Sequence, residues 1–251
     1  MVCLVALTVP APARSDQAQG KSAAGEFIAL THRSSNGAMP YRLFVPKNYE
    51  PQRRYPLILW LHGAGGRGTE NEAQIAGDQI PGTQTWTTPE RQAEHPAFVL
   101  APQTNSLWWV ADRSSPELSP DLAQVVEILD AVTSKYPIDA KRVYALGQSM
   151  GGKGAWILVS NKPELFAAAV LICPEHSDIT RVAPVATLPF WIFQGSADGV
   201  AFVTGSRALA TALNAAGGHP RYTEYPNMGH EIWTRVFDEP TLAPWLFAQH
   251  R

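Results

Sequence analysis

Apolar residues in this chain fall in short continuous runs, separated by polar stretches rich in glycine and proline. YPLILWLHG (55–63) and PAFVLAPQ (96–103) are unbroken enough to predict strands buried on both faces. FIALTH (27–32) and YRLFVP (41–46) flank the turn signal SSNGAMP and predict an antiparallel hairpin. RVYAL (142–146), FAAAVLIC (166–173), LPFWIFQG (188–195) and PRYTEYP (220–226) supply four more strands. The period changes in SPDLAQVVEILDAVTSKYP, where Leu122, Val125, Val126 and Leu129 recur at helical spacing. Ser119 suits its N-cap and Pro120 its first turn. Helices are also predicted after RVYAL to about Ser160, over SRALATALNAAGG with Gly217 and Gly218 as its stop, and in EPTLAPWLFAQH. A hairpin followed by strands that mostly alternate with helices predicts an α/β fold. Its eight-stranded, mostly parallel sheet carries helices on both faces, and reactive groups gather at the C-terminal strand ends.

One of those strand ends is unusual. YALGQSMGGKGAW (144–156) passes from a strand through a glycine-rich turn into an apolar helix, with Ser149 at the apex of Gly-Gln-Ser-Met-Gly. G-x-S-x-G in this setting predicts a nucleophile elbow: a strained serine backbone lifts the hydroxyl clear of the sheet, and flanking glycines permit the close approach. A serine hydroxyl needs a base, and the base an orienting carboxylate. His230, in the loop YPNMGHEIW after the last strand, is the expected base, with His176 as the positional competitor. Asp198, just beyond the strand in IFQGSADGV, is the expected acid, with Asp178 as runner-up. LHGAGGRG (61–68) leaves a buried strand at the same edge, so the Ala64 and Met150 amides are the expected oxyanion donors.

Composition narrows the reading further. The 251 residues suit one large domain, and 45% hydrophobic against 17% charged supports a substantial core. A net charge of −2 gives no electrostatic reason to expect nucleic acid or an anionic membrane as partner, and no apolar run has transmembrane length. No metal-ligand spacing or cofactor motif occurs, so none is expected. MVCLVALTVPAPARSDQAQG resembles the apolar core and cleavage region of a secretory signal peptide without its basic start. Residues 1–25 are therefore expected to be leader, residues 26–251 one catalytic domain, and the protein secreted or periplasmic. Removal of the leader takes Cys3 and leaves Cys173 alone.

YRLFVPKNY, PLILWLHGAGGRG, YPIDAKRVYALGQSMGGKGAW, FQGSADGV and YTEYPNMGHEIW together resemble the α/β-hydrolase superfamily. More narrowly, residues 26–251 are similar to bacterial secreted esterases related to feruloyl esterases and polyhydroxyalkanoate-depolymerase-like enzymes, often labelled predicted peptidases. The resemblance implies a Ser149–His230–Asp198 triad that hydrolyses carboxylic esters through an acyl-enzyme. SADGVAFV departs from it by lacking the proline often found soon after the acid. Only about fifteen residues separate the strands around Cys173 and Leu188, which predicts no large lid. Trp108, Trp109 and Trp233, in loops at the catalytic edge, are expected to line the cleft. The expected substrate is a small ester or an ester-bearing polymer, of feruloyl or acetyl type. Polyester cleavage and prolyl-oligopeptidase-type proteolysis are the alternatives, and a silent hydrolase fold used for binding is the non-enzymatic one.

Overall fold

The computed structural model describes residues 21–22, 25–110, 118–175 and 178–251. Residues 1–20 of the expected leader, including Cys3, and His176 therefore lie outside the described residues, whereas Lys21, Ser22 and Gly25, inside its expected bounds, pair in the sheet. Among the described residues nine strands form one sheet: β1 (Lys21–Ser22), β2 (Gly25–Ser34), β3 (Gly37–Pro46), β4 (Tyr55–Leu61), β5 (Phe98–Pro102), β6 (Ile138–Gln148), β7 (Ala168–Ile172), β8 (Phe190–Gly195) and β9 (Arg221–Tyr225). Their spatial order is β1-β2-β3-β5-β4-β6-β7-β8-β9. All eight expected strands are present, and β1 adds a two-residue edge that no hydrophobic pattern could announce. β6 begins at Ile138, earlier than its apolar part suggests, because Asp139–Arg142 lie at its more exposed end.

The first three strands run antiparallel and β4 to β9 run parallel. Side chains of the parallel strands alternate between two cores, as a period of two requires. Leu57, Leu59 and Leu61 of β4 join one core, with α3 (Pro120–Lys135), α4 (Met150–Asn161) and α5 (Val203–Ala215). Ile58 and Trp60 join the other, with Trp86, α6 (Trp233–Phe237) and α7 (Leu242–Phe247). Ser119 caps α3 by accepting the Leu122 N–H, as expected. The 64–95 insertion carries three single 3-10 turns and two short helices, α1 (Ile80–Gln84) and α2 (Pro89–Glu94). Two further 3-10 turns make up the described connection between β7 and β8, which carries no lid domain.

β5 and β6 lie on opposite sides of β4, so the chain reverses its winding direction there. The crevice at such a switch point is where α/β sheets place their chemistry. Ser149 follows β6, and the His62–Gly68 loop follows β4.

Candidate active site

Ser149 has φ 54° and ψ −120°, a sparsely populated conformation for a residue with a side chain. Its N–H bonds the Ile172 carbonyl at 2.8 Å, which anchors the elbow to β7. A side chain at Gly147 would overlap the Gly151 carbonyl, and one at Gly151 would overlap that of Leu61. Those two glycines are therefore the condition for α4 to start immediately above β6.

The expected base and acid meet this serine. His230 Nε2 is 2.7 Å from Ser149 Oγ, and His230 Nδ1 is 2.8 Å from Asp198 Oδ2. The network fixes the tautomer: Nδ1–H donates to the carboxylate, leaving Nε2 to accept the serine proton. Asp198 is buried and its other oxygen accepts the N–H groups of Val200 and Ala201 at 2.8 and 2.9 Å. Gln194 Nε2 adds a third donor, at 2.8 Å to Oδ2. Burial alone would raise this carboxyl's pKa, but the bonds from His230 and the two amides outweigh it and hold the pKa below its ordinary value. Asp178 is exposed and spends its carboxylate on Thr180 of its own turn, so it cannot orient the base. His219 precedes β9 and His250 lies at the chain end, both exposed and away from this edge.

Behind the pair sits Cys173, fully buried at φ 44°, with Sγ 3.5 Å from the His230 carbonyl oxygen. Cys173, Asp198 and His230 bring potential ligand atoms within 4.8 Å of one another. Burial, and secondarily the neighbouring Asp198 charge, push the thiol pKa well up, while the imidazole nitrogens are already engaged. The group is thus arranged for proton transfer.

The loop after β4 runs against the elbow. A Cβ on Gly63 would stand 3.3 Å from the Gln148 carbonyl oxygen. Ala64 opens a 3-10 turn and Met150 opens α4, and the first N–H groups of helical turns have no carbonyl partner within the helix. Both expected oxyanion amides thus stand at helical starts, Met150 next to Ser149 in the chain and Ala64 next to Gly63, which packs on Gln148. Two buried glutamines brace this region, Gln79 holding the loop and Gln148 tying the elbow to the insertion, and the motif reading missed both roles. Gln79 Oε1 accepts the Gly63 N–H at 3.0 Å, and Gln148 Nε2 reaches the Asp78 carbonyl at 3.2 Å. Nothing local marks Gln79, which lies in the insertion and reaches the loop only through the tertiary fold.

The tryptophans depart from expectation. Trp108 is completely buried, so it does not line a cleft. Its indole N–H bonds the His62 carbonyl at 3.0 Å, and its ring packs on the His62 ring and Gly154. Trp233 is also buried, and stands edge-on to the His230 ring at 5.1 Å, a prop for the base and not an open platform. Trp109 is half-buried, with Lys153 Nζ 3.8 Å over its ring. Loop position does not distinguish these fates, because an indole at a loop base can fold inward as readily as outward.

Residues 33–238 match the family model described as "Putative esterase". The chain belongs to this esterase family. A solved structure described as a thermostable esterase is 40% identical with a TM-score of 0.85, covering 90% of this chain and 63% of its own. Among curated proteins, "Probable feruloyl esterase C" of Aspergillus niger is 27% identical over 204 residues, 78% of this chain and 68% of that protein. A "Probable carboxylesterase" of Oryza sativa subsp. japonica is 24% identical over 201 residues, 71% and 82% of the respective chains. This esterase-family chain thus spans under two thirds of the thermostable esterase.

Proposed function

We propose that the protein is a serine esterase working through an acyl-enzyme, with Ser149 as nucleophile, His230 as base and Asp198 as its orienting acid. The observation that carries this is the unbroken hydrogen-bonded chain from Ser149 Oγ through His230 to Asp198. Ser149 Oγ attacks the ester carbonyl while His230 Nε2 takes its proton, and Asp198 stabilises the imidazolium. The Ala64 and Met150 amides receive the developing oxyanion, each donor contributing roughly 3 kcal/mol. His230 then protonates the departing alcohol, and water repeats the sequence on the acyl group.

The substrates proposed are small or aromatic-acyl esters of feruloyl or acetyl type, free or on a polymer. The names of the fungal relatives support this choice. Export is part of the same proposal and rests on the apolar, then alanine- and proline-rich, start of the chain. The test is initial-rate hydrolysis of p-nitrophenyl acetate and methyl ferulate by wild type and Ser149→Ala. Turnover of both by wild type alone is the expected result. Acetate turnover without ferulate would remove the phenolic assignment, and equal rates in the variant would remove Ser149 from the mechanism.

A further inference from the structure

Asp78 occupies a single 3-10 turn, Gly77–Gln79, in the insertion that follows the oxyanion loop. It is clamped from both sides. Its neighbour Gln79 is buried and holds the Gly63 N–H, while Gln148, adjacent to the nucleophile, donates to the Asp78 carbonyl and, at 3.3 Å, to its Oδ2. The carboxylate is exposed and spreads over the oxyanion loop: Oδ1 lies 2.8 Å from the point where a side chain on Gly65 would begin. Gly65 thus leaves room for the charge of Asp78 to stand beside Ala64.

Arg67 is exposed on the same loop with its Nε bonded to the Ala64 carbonyl at 3.2 Å, so it is the one cation set against the Asp78 charge on this loop. Glu70 is bonded by the Gln103 amide, and Glu231, after His230, is exposed and of the same sign as Asp78.

We infer that Asp78 is a specificity-determining residue, favouring esters that carry a cationic or hydrogen-bond-donating group near the scissile bond and disfavouring those that carry an anion. The inference rests on the serine-esterase reading. One charge acting across several ångströms near a protein surface changes kcat/KM about tenfold at low salt.

Two substrate series test it. In the acyl series, p-nitrophenyl hexanoate is compared with mono-p-nitrophenyl adipate and p-nitrophenyl 6-(trimethylammonio)hexanoate. In the alcohol series, acetylcholine is compared with 3,3-dimethylbutyl acetate. Wild type should rank cationic over neutral over anionic in at least one series. Asp78→Asn and Asp78→Ser should each shrink that spread about tenfold, and Glu164→Gln, an exposed carboxylate elsewhere, should not. Salt at about 0.5 M should shrink the spread in wild type and change little in the Asp78 variants. Spreads unchanged by either Asp78 variant, or absent in wild type, overturn the inference while hexanoate turnover leaves the esterase reading standing. Hexanoate turnover that is absent, or equal in Ser149→Ala, overturns that reading and this inference with it.

Discussion

His62 and His230 lie in loops that follow β4 and β9, each beside a glycine, and their rings meet different partners. Around His62 both nitrogens are spent on the backbone: Nδ1 bonds the Gly63 carbonyl at 2.7 Å and Nε2 accepts the Thr104 N–H at 3.1 Å. The residue is completely buried, and burial above all drives its pKa down to about 4. Around His230 one nitrogen faces a carboxylate and the other a hydroxyl, and the side chain keeps 16% of its exposure. An imidazole between two backbone groups is a neutral strut. Between a carboxylate and a hydroxyl it can accept a proton and have the resulting charge stabilised.

The largest test of that contrast is His230→Ala, which should lower kcat by at least about 10⁴-fold with only a small change in melting temperature. His62→Ala should instead appear first in thermal unfolding, losing roughly 2–4 kcal/mol. A catalytic loss for His62→Ala as large as that for His230→Ala at unchanged stability would erase the distinction. Asp198→Asn should cost about 10⁴-fold in kcat, because the wrong tautomer is favoured, and Asp178→Asn should stay near wild type. The reverse pattern would reassign the acid.

A third test concerns pH. The folded-state pKa of His62 is depressed, so its contribution to stability is present above the unfolded value of about 6.5 and is lost as pH falls toward about 4. Chemical denaturation between those pH values should show a decline of about 3 kcal/mol attributable to this group. His62→Gln should flatten that part of the curve, and an unchanged slope would place the proton uptake elsewhere. The smallest effect expected is that of Trp108→Phe. Losing the indole bond to the His62 carbonyl should cost about 1–2 kcal/mol, read as a melting shift of a few degrees. No shift would mean that the bond contributes little to holding the loop.

What could be read from the chain follows the range of the interactions involved. β4, β5, β7 and β8 are continuous apolar runs because both faces are buried, so their existence was legible; β6 is longer than its apolar part, and β9, at the sheet edge, is mixed and only partly buried. Ser149 was legible because the elbow imposes glycines within two residues of it. Asp198 and His230 followed from chain order and strand ends. Gln79, Gln148, the Trp108–His62 bond and Asp78 were not legible, since each acts across the fold on a residue remote in sequence or on a backbone group. Burial decides the tryptophans in the same way. Two of the three indoles predicted for the cleft wall, Trp108 and Trp233, are buried packing instead.

Cys173 lies behind the acid–base pair, its thiol shut from solvent, kept protonated by burial and in contact with the His230 carbonyl. With Cys3 replaced, a maleimide or mercurial added to the folded protein should therefore react only as often as the packing around Cys173 opens. Its labelling rate becomes a stopwatch for the breathing of the site, and a phosphonate fixed on Ser149 should slow the clock.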